Sequence, residues 1–100
     1  MNEYIKTMLE QIKFNRMRVM CGISSVTYDN KNNSINFAFK MCKKANRCSI
    51  RYNDIVDDYE IKFWKLNSNY DMKLVHANEG LFFDEINKAF EEFTGLRTSL

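Results

Sequence analysis

At 100 residues, 45% of them hydrophobic and with eight Phe, five Tyr and one Trp, the chain has the material for one ordinary core, and a folded single domain spanning residues 1–100 is expected. Its apolar runs are only a few residues long, well short of the roughly 20 needed to cross a bilayer, and the N-terminus lacks a signal peptide's apolar stretch; a cytoplasmic protein without membrane contact is expected. Charge is unevenly spread: residues 1–53 hold ten Lys and Arg against three acids, residues 54–100 hold five against ten, and the formal net charge is only +2.

Residues 2–14 place Ile5, Met8, Leu9 and Ile12 at helical spacing, with Asn2 able to cap the start and Asn15 the end. Residues 17–28 alternate, which predicts a strand carrying Met17, Val19, Cys21 and Ile23 inward and Arg16 and Arg18 outward, with a β-bulge near Gly22 where the phase slips at Ser24 and Ser25. Residues 34–42 alternate most cleanly, with Ile35, Phe37, Phe39 and Met41 on one face and Asn36, Ala38 and Lys40 on the other. A turn over residues 43–46 leads to a strand over 47–52, with Cys48, Ile50 and Tyr52 inward and Arg47, Ser49 and Arg51 outward. After the acidic turn 53–58 comes a return strand over 59–66, with Tyr59, Ile61 and Phe63 inward and Glu60, Lys62 and Trp64 outward. A short fifth strand is expected over residues 72–76.

Phe82, Phe83, Ile86, Ala89, Phe90 and Phe93 then make one apolar helix face, stopped by Gly95, with Leu96 folding back. The expected fold is a two-layer α+β domain, a four- to five-stranded antiparallel meander with an N-terminal and a C-terminal helix on one face.

Neither catalytic nor cofactor chemistry is indicated. His76 has no nucleophile in a suggestive motif, no glycine-rich loop is present to cradle a phosphate, and Asp54, Asp57, Asp58 and Glu60 lack the glycine and closing Glu of a calcium loop. Cys21, Cys42 and Cys48 are odd in number and match no zinc spacing, so free thiols are expected and no metal or cofactor. The tight 43–46 turn would set Met41 opposite Cys48, putting Cys42 and Cys48 on opposite sheet faces, beyond disulfide reach.

The sheet face left open by the helices therefore carries the expectation of function. Arg16, Arg18, Lys40, Arg47, Arg51 and Lys62 would share it with Trp64, combining cations for phosphates with a ring that stacks on a base. A solvated polar face, or a homodimer seam around Trp64, would show the same pattern. Asp84, Glu85, Glu91 and Glu92 form a second, acidic surface on the last helix.

The order helix, strands, helix resembles a double-stranded RNA-binding domain with extra strands, although that family presents Lys where this last helix carries its four acids. Residues 59–64 followed by a terminal helix resemble, over the second half of the chain, the single-stranded DNA-binding transcriptional coactivators. Both resemblances imply nucleic-acid binding.

The abundance of Asn, Lys and Ile is what AT-rich coding sequence gives, as in low-GC bacteria, their phages and plasmids. The leading expectation is a small non-enzymatic binding protein, a phage or mobile-element regulator or inhibitor of a host nucleic-acid enzyme acting by protein–protein contact. The alternative is a single-stranded nucleic-acid-binding module that uses the basic sheet face.

Overall fold

Two helices, five strands and a third helix follow one another in the computed structural model, which describes residues 1–98. They are α1 (Glu3–Gln11), α2 (Phe14–Cys21), β1 (Ser24–Asp29), β2 (Ser34–Ala38), β3 (Arg47–Asn53), β4 (Asp58–Leu66), β5 (Met72–Leu81) and α3 (Ile86–Thr94), the last entered through a 3-10 turn at Phe83–Glu85. The strands pair antiparallel in the order β1-β2-β3-β4-β5, and the helices share one core with a single face of the sheet. This is the expected two-layer α+β meander, with five strands. No helix among the described residues is long and apolar enough to cross a membrane.

α1 begins as its sequence predicts. The Asn2 side chain accepts from the Ile5 N–H at 2.8 Å, while its amide donates to Asn33 Oδ1 at 2.7 Å and to the Asn30 carbonyl at 3.0 Å. One residue thus caps the helix and ties it to the β1–β2 turn.

The first correction lies just beyond. The helix breaks at Lys13, which adopts a left-handed conformation (φ 54°), and residues 14–21 form α2 instead of the strand expected over 17–28. Phe14, Met17 and Cys21 are buried at helical spacing, whereas Val19, expected inward, is 83% exposed. Gly22 closes α2 at φ 60°, a helix stop in place of the expected bulge site, and the bulge itself falls between Ser24 and Thr27. Arg16 and Arg18 consequently belong to the helical layer.

The second correction concerns β2 and β3. Phe37 lies opposite Cys48 and Ala38 opposite Arg47, so the register differs by four residues from one built on a tight 43–46 turn. Four is even, and the side-chain faces survive the shift. The intervening residues 39–46 bury Phe39 and Ala45 and expose Met41 (70%), which takes φ 71°. Asn46 completes the crossing by mimicking a strand: its side chain donates to the Leu66 carbonyl at 3.0 Å and accepts from the Leu66 N–H at 2.8 Å. Lys40 lies in this connection, not on a strand, with its N–H donating to the Cys21 carbonyl at 3.2 Å.

β5 runs to Leu81, well past the expected 72–76, with irregularities opposite the Phe63–Trp64 and Tyr59–Ile61 steps. This extra strand length draws the chain out before α3. Phe82 and Phe83, expected in the helix core face, are left 64% and 52% exposed.

Phe90 fills the centre of the core. Its ring lies 5.2 Å from Phe39, 5.8 Å from Phe63 and 6.4 Å from Phe37, joining α3 to β2, β4 and the 39–46 connection. Lys44 secures the end of α3 by donating to the Phe93 carbonyl at 3.0 Å, while Gly95 (φ 75°) stops it and Leu96 packs back on the core, as expected.

Phe90→Ala should lower the unfolding free energy by about 3–5 kcal/mol, measured by urea denaturation. An effect below about 1 kcal/mol would mean that α3 does not depend on this ring.

A pH effect follows from two phenols. Tyr52 donates to Asp57 Oδ1 at 2.6 Å, and this bond, with burial and the same carboxylate's charge, pushes its pKa up to about 12; burial, then Asp57, raises that of Tyr59. The folded state therefore holds both protons more tightly than the unfolded chain. Their stabilisation is complete below the unfolded value near 10 and is lost as pH rises toward about 12. Denaturation at a series of alkaline pH values should show stability falling through that window, with a shallower fall in Tyr52→Phe.

Candidate functional site

The face of the sheet opposite the helices is organised in cross-strand rows. One row runs Ser24, Ala38, Arg47, Trp64, Leu74; a second runs Thr27, Asn36, Ser49, Lys62, Ala77. A third contains Asp29, Ser34, Arg51 and Glu60. Alternation fixes this arrangement, because Cys48, Ile50, Ile61 and Phe63 are buried on the helix side and their neighbours must point away.

Trp64 and Arg47 are direct cross-strand partners, both half-buried, and the Arg47 guanidinium donates to the Asn46 carbonyl at 3.0 Å. Leu66 and Met72 face each other one step along from Trp64 and Leu74. Together these four apolar side chains make a strip at one end of the face, beside a shallow groove of about 290 Å³ lined by Thr27, Asn36, Arg47, Ser49, Trp64 and Met72.

Toward the other end the charges are mixed. Lys62 pairs with Glu60 at 3.4 Å, Arg51 lies opposite Glu60, and Arg51 shares a shallow depression with Asp58, Glu60 and Glu79. A half-exposed pair of this kind contributes little stability, but it does offset the local positive charge.

Of the seven residues expected on this face, Arg47, Arg51, Lys62 and Trp64 are there. Arg16 and Arg18 are exposed on α2 and Lys40 is exposed in the 39–46 connection. The acidic residues of the last helix are separated as well. Asp84 and Glu85 sit in the 3-10 turn, where Glu85 accepts from the Phe82 N–H at 2.8 Å; Glu91 accepts from the Thr98 N–H at 2.8 Å; Glu92 stands 3.9 Å from Lys88. Two of the four are thus engaged in closing local backbone.

Of the apolar strip, Trp64 was among the expected site residues, whereas Leu66, Met72 and Leu74 were not. The strip's signal was the pair of flanks about the 67–71 turn, where Trp64, Leu66, Met72 and Leu74 mirror one another, a pattern interpretable only once those flanks are known to pair.

His76, Cys21 and Cys48 are turned toward the core. The His76 ring stacks on Phe93 at 4.7 Å and 4° on the helix side of the sheet. Burial pushes the Cys21 thiol up to about 11, with Glu91 adding to it, and burial alone holds Cys48 well above the ordinary thiol value. Among the described residues no three His, Cys, Asp or Glu side chains converge on a common point.

No protein-family model, curated protein or solved structure matches this chain.

Native protein treated with a thiol reagent at neutral pH should label rapidly at Cys42, the half-buried cysteine, with Cys21 and Cys48 reacting only on unfolding. Rapid modification of all three would contradict the packing described.

Proposed function

We propose that this is a small non-enzymatic binding protein that seats a protein partner on the uncovered face of its sheet. The observation supporting this most directly is the apolar strip Trp64, Leu66, Met72 and Leu74 beside Arg47. Tryptophan and arginine are the residue types that most often anchor protein interfaces, and here they are cross-strand neighbours on a rigid central pair. The matching partner surface has an apolar depression for the indole and a carboxylate for the guanidinium. Acting by occupancy, such a protein would regulate or inhibit what it covers.

The mixed charge of the face favours protein over nucleic acid there. A strand-binding groove needs a continuous run of cations, whereas Lys62 and Arg51 are accompanied by Glu60, Asp58 and Glu79.

The test is photo-crosslinking from position 72 in lysate of the source cell, with Trp64→Ala as the comparison. One protein partner should be captured in stoichiometric amount, and Trp64→Ala should weaken its binding by about 2 kcal/mol or more, some 30-fold. Capture of nucleic acid, or capture unaffected by Trp64→Ala, would overturn the proposal. Sedimentation showing a dimer that Trp64→Ala dissociates would assign the face to self-association instead.

A further inference from the structure

A further concavity lies away from the uncovered face, on the helix side of the sheet beside its β1 edge. It is a wide, open cleft of about 570 Å³ where α1, α2 and β1 meet. Lys6 enters it from α1, Lys13 from the break between the helices and Arg16 and Arg18 from α2, and among the described residues Glu10 is the only carboxylate lining it. Leu9 and the buried ring of Phe14 supply apolar surface, and Tyr28, 43% exposed, contributes a phenol from β1.

Among the described residues the four cations have no carboxylate partner. Among the described residues the ion pairs are Lys62 with Glu60 and Lys88 with Glu92, so none of Lys6, Lys13, Arg16 and Arg18 lies within 4.0 Å of a carboxylate, Glu10 included. Like charges gathered on one concave surface repel and raise the local potential, which focuses on an incoming anion. The uncovered face behaves oppositely, since its cations are interleaved with acids. Two guanidiniums supply forked donors that match phosphate oxygens, two ammoniums act as point charges, and the first turn of α2, which no side chain caps, faces the same space.

We propose that this cleft binds a nucleotide unit, its phosphate drawn in by the cations that line it, with Arg16 and Arg18 on opposite flanks of α2, and its base laid against Tyr28. A bare inorganic anion would leave the apolar wall and the phenol unused, whereas a base covers both. The unit comes either as a free nucleotide or as one residue of a single strand. This site is separate from the Trp64 strip, and its success or failure leaves the protein-docking reading standing.

The test measures binding of AMP, a short oligodeoxyadenylate and inorganic phosphate to the full chain at low salt. It compares wild type with Arg16→Gln/Arg18→Gln, Tyr28→Leu and Trp64→Ala, all exposed or half-buried positions whose folding is checked by circular dichroism. The arginine pair should lose ten-fold or more in affinity, about 1.4 kcal/mol. For the oligonucleotide, its slope of log affinity against log salt should fall by about 1 to 2. Tyr28→Leu should weaken both nucleotide probes and not phosphate, and Trp64→Ala should change neither. AMP binding identifies the free nucleotide as the source; binding of the strand alone identifies nucleic acid. Absence of binding by both nucleotide probes, indifference to Tyr28→Leu, or amide shifts confined to β3 and β4 would overturn the proposal.

Discussion

The packing of Phe90 against Phe37, Phe39 and Phe63 is the contact on which the rest of the architecture depends. A five-stranded meander with one apolar face cannot stay folded in water unless that face is covered, and α3 is short. Its nine residues present only Ile86, Ala89 and Phe90 as fully apolar buried positions. The ring cluster therefore has to hold the helix from several directions at once. Phe39 can take part only because the chain leaves β2 at Ala38 and turns inward, and the same connection delivers Lys44 to the helix's last carbonyls. The departure from a tight hairpin and the seating of the helix are one structural solution.

That solution also sorts the charges. The basic first half of the sequence does not make a single basic surface: α2 and the 39–46 connection take Arg16, Arg18 and Lys40 away from the uncovered face. What remains on that face is an Arg–Trp pair with an apolar strip and a charge-balanced end. The cations that gather without compensation do so at the α1–α2 junction. Sequence asymmetry thus becomes two unlike surfaces, one with an apolar strip and mixed charge, the other predominantly basic.

Much of this was legible from periodicity. β3, β4 and the buried half of α3 show unambiguous alternation or helical spacing, and the Asn2 cap, the bulge after Ser24 and the Gly95 stop follow from local backbone chemistry. Residues 17–21 fit a strand as well as a helix because Met17 and Cys21 belong to both a period of two and a period near 3.6. The arbiter is tertiary: Phe14, 5.6 Å from Phe37, is buried only if the segment is helical. β5 exceeded expectation because Ala77, Asn78, Glu79 and Gly80 have weak strand propensity of their own, and pairing with β4 imposes the conformation. Arg47, Arg51, Lys62 and Trp64 were found because they alternate with core residues. The α1–α2 cleft escaped notice because it depends on the helical break at Lys13.

β5 occupies the margin of the sheet with ten residues, and Leu74 and Val75 are exposed along it. A flat strand of that length would template the next molecule through its free backbone groups. β5 is not flat: its ladder with β4 slips twice, near Val75 and again near Gly80, which takes φ 67°. Each slip breaks the even spacing of donors and acceptors that edge-to-edge growth requires. The irregular margin leaves the apolar strip uncovered while interrupting the backbone pattern that growth through this edge would need.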